Sequence, residues 1–389
     1  MRALRQPGAG STVQGPGGPV LLLSMRRIAD LVAYCAQYEF EDVVAEVTGA
    51  DRADATDPAA LEFSRRSYKL LRLVGRSRRL ARALTPRPAL QRLQRDYELF
   101  LPVFNHTHEL YALRTIPYWR ARCRRAACFI NEMWSHLLPS YLLELLAQFD
   151  HVFIGTRHCV EDVARICGRP CSYLPQAADV LRFSPWPNPP PRSIDVCNIG
   201  RRSPLTHEAL VTMAAARKIF YYFDTFAGGT GKERKQRTFR VANPAEHRLL
   251  LGSLLQRSSF FLANRGRIDE PEHTGKHEEI AGRFYEGVAA GTVLLGDAPN
   301  TDEFRAQFDW PDAVMHMPFD CPRIEEVLTE LTADPQRLGR TSRNNARNAA
   351  LRHDWLHRLE VIFNTLGMPP TLGMLERKRR LTELASLIS

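Results

Sequence analysis

Short apolar runs alternate with longer segments of helical periodicity along most of the chain. An uninterrupted apolar run predicts a parallel strand buried on both faces, and apolar residues spaced by three and four predict a helix packed on such a sheet. This alternation predicts an α/β fold with doubly wound parallel sheets. The predicted strands are residues 19–24, 98–104, 126–130, 151–155, 194–199, 218–223, 260–264, 292–295 and 313–317, and residues 51–58 are predicted as a polar turn.

The sharpest change of pattern lies in residues 277–297, HEEIAGRFYEGVAAGTVLLGD. Residues 278–290 have helical spacing, and Gly291 stands where a left-handed glycine would end the helix. An apolar, partly β-branched strand follows at once. Glu286 and Gly287 lie on this predicted helix shortly before its end, near the edge where open α/β sheets bind ligands.

The length of 389 residues suits two domains of ordinary size. The first residues, rich in Gly, Pro and Gln, predict a disordered leader. A proline-rich segment at 174–192 predicts an interdomain linker, with the boundary near Asn188. The predicted organisation is a leader at 1–18, an N-terminal Rossmann-like domain at 19–187, a C-terminal Rossmann-like domain at 188–365 and a helical extension at 366–389.

The composition, 44% hydrophobic and 25% charged, is that of a globular protein. No apolar run approaches the roughly 20 residues that span a bilayer, and the run at 20–24 is too short for a secretory signal. The eight cysteines form no CxxC pair and no paired-ligand spacing, which is typical of buried thiols in a reducing compartment. We therefore expect a cytoplasmic protein without a structural zinc site.

The formal net charge of +10 indicates a polyanionic partner or surface. Residues 62–95 are the most basic part of the chain, and their leucines can form an apolar face between the arginines. Two interpretations stay open: a solvated helix that covers the N-terminal domain, or a helix that holds the protein peripherally on an anionic membrane surface at the inner face. Nucleic acid is disfavoured because interleaved aromatic residues for base stacking are lacking.

Polar clusters follow two predicted strands of the N-terminal half, where side chains point into the binding crevice of a doubly wound sheet. His106 and His108 are therefore candidate catalytic residues. Turn chemistry and helix capping are alternative explanations for these residues. The two clusters are Asn105, His106, Thr107 and His108 after the first strand, and Asn131, Glu132, Met133 and Trp134 after the second.

In the C-terminal half, Gly200 and Arg201 stand in a turn between a strand and a helix. Such a turn brings backbone N–H groups close to a phosphate, and arginine binds phosphate through charge-assisted hydrogen bonds. A second glycine-rich segment, Gly228 to Gly231, lacks the spacing and the Lys-Ser/Thr ending of a P-loop.

The segment 282–295, GRFYEGVAAGTVLL, resembles the helix-to-strand signature of retaining GT-B glycosyltransferases of the "glycosyl transferases group 1" type. It is most similar to the subgroup related to spore-maturation glycosyltransferases. Residues 179–185, 195–202 and 353–358 resemble other parts of the same family. The resemblance implies two Rossmann-like domains that face each other across a cleft, with a nucleotide sugar on the C-terminal one.

The resemblance also implies roles for individual residues. Glu286 would accept hydrogen bonds from the ribose hydroxyls, because a carboxylate offers acceptors only, and Gly287 would allow close approach of the donor. Cationic groups would face the diphosphate and stabilise its charge as it leaves. The residues in question are Gly200, Arg201, Arg265 and Arg283 at the diphosphate, and Glu278 as the first of two spaced glutamates, with Glu279 an equal neighbour.

The function implied is that of a retaining, metal-independent glycosyltransferase without a cofactor. It would move a sugar from a nucleotide-diphosphate sugar to an envelope, polysaccharide or secondary-metabolite acceptor, which is a carbohydrate, a lipid-linked molecule or a small molecule. The chain has no DxD cluster for a metal, and the family's N-terminal glycine-rich loop is absent after residues 20–24. Two alternatives remain: a GT-B-fold nucleotide-sugar epimerase, and a non-catalytic nucleotide-sugar-binding or membrane-surface protein.

Overall fold

The computed structural model describes residues 13, 15–75, 77–86, 88, 90–134, 138–224 and 240–388. Residues 1–12 and 14 of the predicted leader lie outside the described residues, as does the segment Gly228 to Gly231. Within the described residues, eleven strands form two parallel sheets. The strands are β1 Val20–Ser24, β2 Asp51–Asp54, β3 Tyr97–Phe104, β4 Cys123–Ile130, β5 His151–Ile154, β6 Cys171–Tyr173, β7 Ile194–Asn198, β8 Tyr221–Phe223, β9 Ser258–Leu262, β10 Val293–Gly296 and β11 Met315–His316.

The helices alternate with these strands along the chain. The α-helices are α1 Cys35–Thr48, α2 Pro58–Gly75, α3 Arg78–Leu84, α4 Trp119–Arg122, α5 Ser140–Leu143, α6 Val160–Cys167, α7 Val180–Phe183, α8 Pro204–Ala215, α9 Pro244–Gln256, α10 Pro271–Thr274, α11 Gly282–Ala289, α12 Asp302–Gln307, α13 Ile324–Thr332, α14 Pro335–Arg352, α15 Trp355–Thr365 and α16 Leu372–Leu387. Short 3-10 helices span Val32–Tyr34, Thr107–Thr115, Glu144–Gln148 and Arg157–Cys159. In the described residues, no helix has the length and apolar character that a membrane span requires.

Three helices of the second half begin with the same local device, an N-capping side chain followed by proline. The Ser203 hydroxyl accepts from the Thr206 N–H before α8, and the Asn243 side chain caps α9 in the same way. Asp334 does so for α14. Proline suits the first helical position because its missing N–H would have no partner there, so these sequence pairs define where each helix starts.

Both sheets are wound in the same way. The first has the order β2-β1-β3-β4-β5-β6 and the second the order β11-β10-β9-β7-β8. In each sheet the strand that comes second in the chain lies on one side of the first strand, and the later strands follow on the other side. The α/β fold class with two doubly wound, Rossmann-like units is therefore confirmed. The winding reverses between β1 and β3 and between β7 and β9, where such sheets bind ligands.

The chain divides into two compact units. Unit 1 comprises Met1–Asp30 and Val44–Leu174, and unit 2 comprises Leu31–Val43 and Pro175–Ser389. This division falls at the start of the proline-rich segment, whereas the sequence predicts a boundary near Asn188. Helix α1 begins in unit 2 and ends in unit 1, which the sequence pattern does not indicate. That the units face each other across a cleft stays a prediction.

The core of each unit lies around its sheet. All five residues of β1 are buried, as expected of a parallel strand covered on both faces. In unit 2 the strands contribute side chains such as Val196, Phe260 and Leu295, and Leu210 of α8 and Ile324 of α13 pack against them. The apolar runs of the sequence therefore correspond to the buried strands.

A buried ionic cluster explains why Leu31–Val43 belongs to unit 2. The Glu39 carboxylate accepts hydrogen bonds from the backbone N–H of Asp179 (2.8 Å) and from the indole N–H of Trp355 (3.0 Å). Arg248 donates to both of its oxygens, at 2.7 and 3.1 Å, and also pairs with Glu286. Each of these charges is buried, so each requires its partners.

Two local predictions are wrong. Residues 51–54 form the edge strand β2 rather than a turn. The Asp51 carboxylate accepts hydrogen bonds from the Arg95 guanidinium, the Tyr97 hydroxyl and the Gly17 N–H, each at 2.8 Å. The helix predicted over 278–290 begins only at Gly282. Gly291 has a φ of +63° after that helix, so its left-handed conformation is confirmed.

Candidate functional site

Gly200 forms the turn that leaves β7, at the point where the winding of the second sheet reverses. Its φ of +84° lies in the left-handed region, and a Cβ at this position would collide with the Arg283 guanidinium. Arg283, near the start of α11, donates from Nε to the carbonyl of Ile199. Glycine meets both requirements, so the turn and Arg283 form one local structure at the edge where such sheets bind ligands.

Arg283 differs from the other arginines at this edge in its partners. Within the described part of the chain it forms no ion pair, and its side chain is half-buried. Each of the others lies against at least one carboxylate. The pairs are Arg201 with Asp269 (2.6 Å) and Glu270 (2.8 Å), Arg202 with Asp224 (2.8 Å), and Arg265 with Asp297 (2.9 Å) and Glu278 (3.4 Å).

Asp224, directly after β8, accepts the hydrogen bond that the N–H group of the Gly200 turn donates. Its two carboxylate oxygens accept from the Gly200 N–H at 2.9 and 3.0 Å, and Arg202 pairs with the same carboxylate. A carboxylate at this place is itself an anion bound by a backbone N–H and a guanidinium. The turn therefore has the groups that bind an anion, and Asp224 has to move if a phosphate is to use the Gly200 N–H.

Glu286 lies one helical turn after Arg283 on α11 and is buried. Burial favours its neutral form, but the charges of Arg248 and Arg283 outweigh this effect and lower the pKa of Glu286 below its ordinary value. The side chain is therefore ionised at neutral pH. It keeps 12% of its surface exposed, whereas Glu39, the other partner of Arg248, keeps none, so Glu286 is the member of the cluster that a ligand can reach.

Gly287 is required by the packing of α11 on the sheet. A Cβ there would collide with the side chain of Leu294 and lie 2.9 Å from that of Phe261. Such distances are shorter than side-chain packing allows, so this close contact accounts for glycine without a ligand. The implied role of Gly287 in donor approach stays a prediction.

The two candidate glutamates before α11 lie outside the helix. The Glu278 carboxylate accepts from the Asn300 N–H at 2.7 Å and lies 3.4 Å from Arg265. Glu279 is buried, and its backbone carbonyl accepts from Gly266. Glu278 is thus held beside Arg265, on a segment that precedes the helix carrying Glu286.

In unit 1, a buried polar side chain follows each of three neighbouring strands. Asn105 directly follows β3, Asn131 directly follows β4, and Thr156 comes shortly after β5. The first two lie side by side at the end of their strands, because the Asn131 N–H donates to the Phe104 carbonyl at 2.8 Å. Each has a buried side-chain oxygen without a hydrogen-bond partner among the described residues. Such oxygens are unfavourable unless a ligand or water meets them, so this edge has the character of a binding crevice.

His106 and His108 lie at the same edge, with ring centroids 5.7 Å apart. His106 precedes the 3-10 helix Thr107–Thr115, and His108 is within it. Partial desolvation, together with the charges of His106 and Arg65, lowers the pKa of His108. The ring is therefore neutral at physiological pH and can accept a proton.

Glu109 is a candidate that the sequence analysis missed. It is buried, and its carboxylate accepts from the backbone N–H of Asn105 at 2.6 Å. Burial outweighs the hydrogen bonds from Asn105 and His106 and raises the pKa of Glu109 to about 7. A carboxyl group that titrates near neutral pH suits acid–base chemistry. Its signal in the sequence was its position directly after His108, four residues after Asn105.

A surface hollow of about 560 Å³ lies elsewhere in unit 1, bounded by Gly17–Pro19, Arg95–Glu98 and Ala121–Arg124. These residues precede or begin β1, β3 and β4, so the hollow is at the amino ends of the strands. Ligands of doubly wound sheets bind at the carboxyl ends. In the described residues, no three His, Cys, Asp or Glu side chains are grouped so that they could hold a metal ion.

No protein family model matches the chain, and neither does any curated protein sequence. Several solved structures resemble its fold. TarM is 9% identical with a TM-score of 0.43 over 68% of this chain and 54% of TarM, so this chain spans about half the length of TarM. The glycotransferase of kitacinnamycin is 14% identical (TM-score 0.39, over 90% of this chain and 100% of that one), and S. aureus MnaA, solved with UDP, is 10% identical (0.44, over 91% and 99%). At these identities the likeness concerns the fold alone.

Proposed function

We propose that the chain is a glycosyltransferase that uses a nucleotide-diphosphate sugar, with the donor bound at the carboxyl edge of the unit 2 sheet. The observation that carries this proposal is the arrangement of Arg283 against the Gly200 turn with Glu286 one turn further along α11. A cation without an ion-pair partner in the described residues and an ionised carboxylate on one helix face match the diphosphate and the neighbouring ribose of a nucleoside diphosphate.

Arg283 is the proposed diphosphate ligand. When the bond between sugar and phosphate breaks, negative charge develops on the diphosphate, and a cation already in position stabilises it. Arg201 and Arg265 would first have to exchange their carboxylate partners for phosphate. They are therefore secondary candidates, and Arg283, which the sequence ranked with Arg265, becomes the first. With this cation in place the proposed reaction needs no metal, and retention is proposed only from the resemblance of residues 282–295 to retaining enzymes.

Glu286 is the proposed ribose ligand. The ionised carboxylate offers acceptors only, and the two ribose hydroxyls are donors. Arg248 holds one carboxylate oxygen, Oε1. This contact fixes the side chain before ligand binding, which lowers the conformational entropy that binding has to overcome.

The acceptor is proposed to bind at the carboxyl edge of the unit 1 sheet. Asn105, Asn131 and Thr156 would accept hydrogen bonds from its hydroxyl groups, as expected of a carbohydrate or a lipid-linked or small-molecule glycoside. Neutral His108, or His106 beside it, would take the proton of the attacking hydroxyl. The proposed setting is cytoplasmic, in keeping with the eight free cysteines.

A nucleotide-sugar epimerase is the second candidate, and Glu109 favours it. Epimerisation moves a proton at the sugar, for which a carboxyl group titrating near neutral pH is suited. The two enzymes differ in their products: a transferase needs an acceptor, whereas an epimerase converts one sugar nucleotide into another alone.

The test is a screen of UDP-, GDP-, ADP- and dTDP-sugars for thermal stabilisation of the protein, followed by assay of nucleoside diphosphate release. Arg283→Ala and Glu286→Ala are expected to abolish both effects. Arg323→Ala, an exposed position in unit 2, is the matched control and should change neither. Full stabilisation and release in the Arg283→Ala variant would refute the proposed donor site. Stabilisation without turnover toward any acceptor would indicate a binding protein instead.

A further inference from the structure

Helices α2 and α3 carry large apolar side chains on their solvent side. Helix α2 turns Leu61, Ser64 and Tyr68 toward unit 1, where they are buried. Six other apolar side chains on the two helices are between 59% and 77% exposed. They form what we call the α2–α3 apolar surface: Phe63, Leu70, Leu73, Val74, Leu80 and Leu84.

The spacing of these residues places them together on the helix surface. Phe63, Leu70 and Val74 are separated by seven and four positions, so they lie on one face of α2, opposite the buried Tyr68. An amphipathic helix of a globular protein has a single apolar face, turned to the core. Helix α2 has a second one, which the described part of the chain leaves uncovered. A cluster of exposed large apolar side chains on one helix face is typical of an interaction site.

The same segment carries the positive charge of the chain. Residues 62–95 contain eleven lysine and arginine residues and a single acidic residue, Glu62. Their excess charge equals the formal net charge of the whole protein, +10. Lys69 is exposed beside the apolar residues of α2, and the Arg66 side chain is 76% exposed although it pairs with Glu62.

We propose that the α2–α3 apolar surface docks on an anionic lipid bilayer, with Phe63 and the leucines inserted at the headgroup boundary and the basic side chains against the lipid phosphates. A basic helix with one uncovered apolar face has the chemistry of such a surface. Two copies of the segment would repel each other through their equal charges. Five of the six apolar residues are leucine or valine, which offer nucleic acid neither stacking nor hydrogen bonds. This inference does not rest on the proposed function, because it uses only the exposure and the charge of α2 and α3.

Vesicle flotation of the full-length protein tests the proposal. We expect flotation with vesicles of equal parts phosphatidylcholine and phosphatidylglycerol at low salt, weaker flotation at high salt, and none with phosphatidylcholine alone. Failure to float with the anionic vesicles at low salt would overturn the proposal.

Two variants separate the apolar and electrostatic contributions. The triple variant Leu70→Ser, Leu73→Ser, Val74→Ser should lower the partition coefficient roughly tenfold or more, because three inserted side chains are lost. Its matched control, Leu372→Ser with Leu375→Ser, changes two exposed leucines of α16 and should float like the parent protein. The double variant Arg66→Glu, Lys69→Glu should float less than the parent protein. The difference between the two should grow with the fraction of anionic lipid in the vesicles. Equal flotation of the triple variant and its control would contradict the proposal.

Self-association and nucleic-acid binding are the competing explanations for this surface. Sedimentation equilibrium without lipid should give the same mass for the parent protein and the triple serine variant. If the parent were a dimer and the variant a monomer, a second copy would be the occupant and the lipid proposal would be wrong. Retention of an RNA or DNA oligonucleotide by both proteins, in place of vesicle binding, would overturn it as well.

Discussion

The Arg248 guanidinium donates a 2.7 Å hydrogen bond to the carboxylate of Glu39, although 209 positions of sequence separate the two residues. Both side chains are buried, and Arg248 also forms an ion pair with the Glu286 carboxylate. The residue proposed to bind ribose is thus held by an arginine that depends on a segment from the first tenth of the chain. We therefore expect the stability of unit 2 and the proposed donor binding to depend on the same guanidinium.

Replacing Arg248 by methionine is expected to destabilise unit 2 by about 3–5 kcal/mol, because two buried carboxylates lose their cation. Urea unfolding followed by tryptophan fluorescence measures the loss. Arg66→Met is the control: its ion pair with Glu62 is exposed, and the expected change is within about 0.5 kcal/mol. Equal losses in both variants would show that the buried pair has no special weight. The double variant Glu39→Gln, Arg248→Met should lose less than the sum of the single variants.

Gly200→Ala is expected to weaken binding of a nucleoside diphosphate about tenfold or more, because the added Cβ displaces Arg283 and its charge-assisted hydrogen bonds. Gly168→Ala is a matched control for backbone strain: Gly168 also has a positive φ, +65°, but a Cβ there meets no atom within 4 Å. It should cost about 1 kcal/mol of stability and leave the affinity unchanged. Calorimetric titration with a nucleoside diphosphate measures the affinity of both variants. A similar loss of affinity in both would mean that strain, and not the position of Arg283, is responsible.

Glu109 is expected to make stability fall as pH rises. The folded protein keeps the Glu109 proton up to about pH 7, whereas an unfolded glutamate loses it near 4.5. Between these values the folded state binds more protons than the unfolded state, so the free energy of unfolding decreases with pH. Relative to Glu109→Gln, the parent protein should lose about 3 kcal/mol between roughly pH 5 and pH 8. Parallel pH profiles of the two proteins would show that the pKa of Glu109 is not raised.

Gly287→Ala is expected to destabilise unit 2 by about 1–3 kcal/mol through overpacking against Leu294 and Phe261. Nucleotide affinity of the folded variant should be unchanged, in contrast to Glu286→Gln. Gly75→Ala, at a site where a Cβ meets nothing within 4 Å, is the control for the substitution itself. Weaker nucleotide binding at unchanged stability would instead support the implied role of Gly287 in donor approach.

The sequence was informative wherever a structural element depends on its own residues. The apolar run that became β10 and the left-handed Gly291 before it are local features, so their pattern predicts them. The edge strand β2 was missed because its alternating charges resemble a turn. Its stability comes from Arg95 and Tyr97 at Asp51, partners distant in sequence that no local pattern contains.

The sequence predicted which residues to consider at the candidate site, but not which of its arginines is the first candidate for the diphosphate. Arg201 follows Gly200 directly and was placed at the diphosphate on that basis, but its charge is paired with Asp269 and Glu270. Arg283 is far from Gly200 in sequence and touches it in the structure. Which arginine forms no ion pair among the described residues is a property of the assembled edge, and the raised pKa of Glu109 is likewise a property of assembled structure.

The divided helix α1 makes unit 2 a discontinuous domain. A polypeptide that begins at Pro175 contains every strand of the second sheet but lacks Glu39. The N–H groups of Asp179 and Trp355 would then lose their acceptor, and Arg248 would keep only Glu286. During translation, Leu31–Val43 leaves the ribosome long before the residues it joins, so this segment has to wait for more than half of the chain. We therefore expect a stable isolated unit 2 to require that segment, either fused to it or added as a peptide in trans.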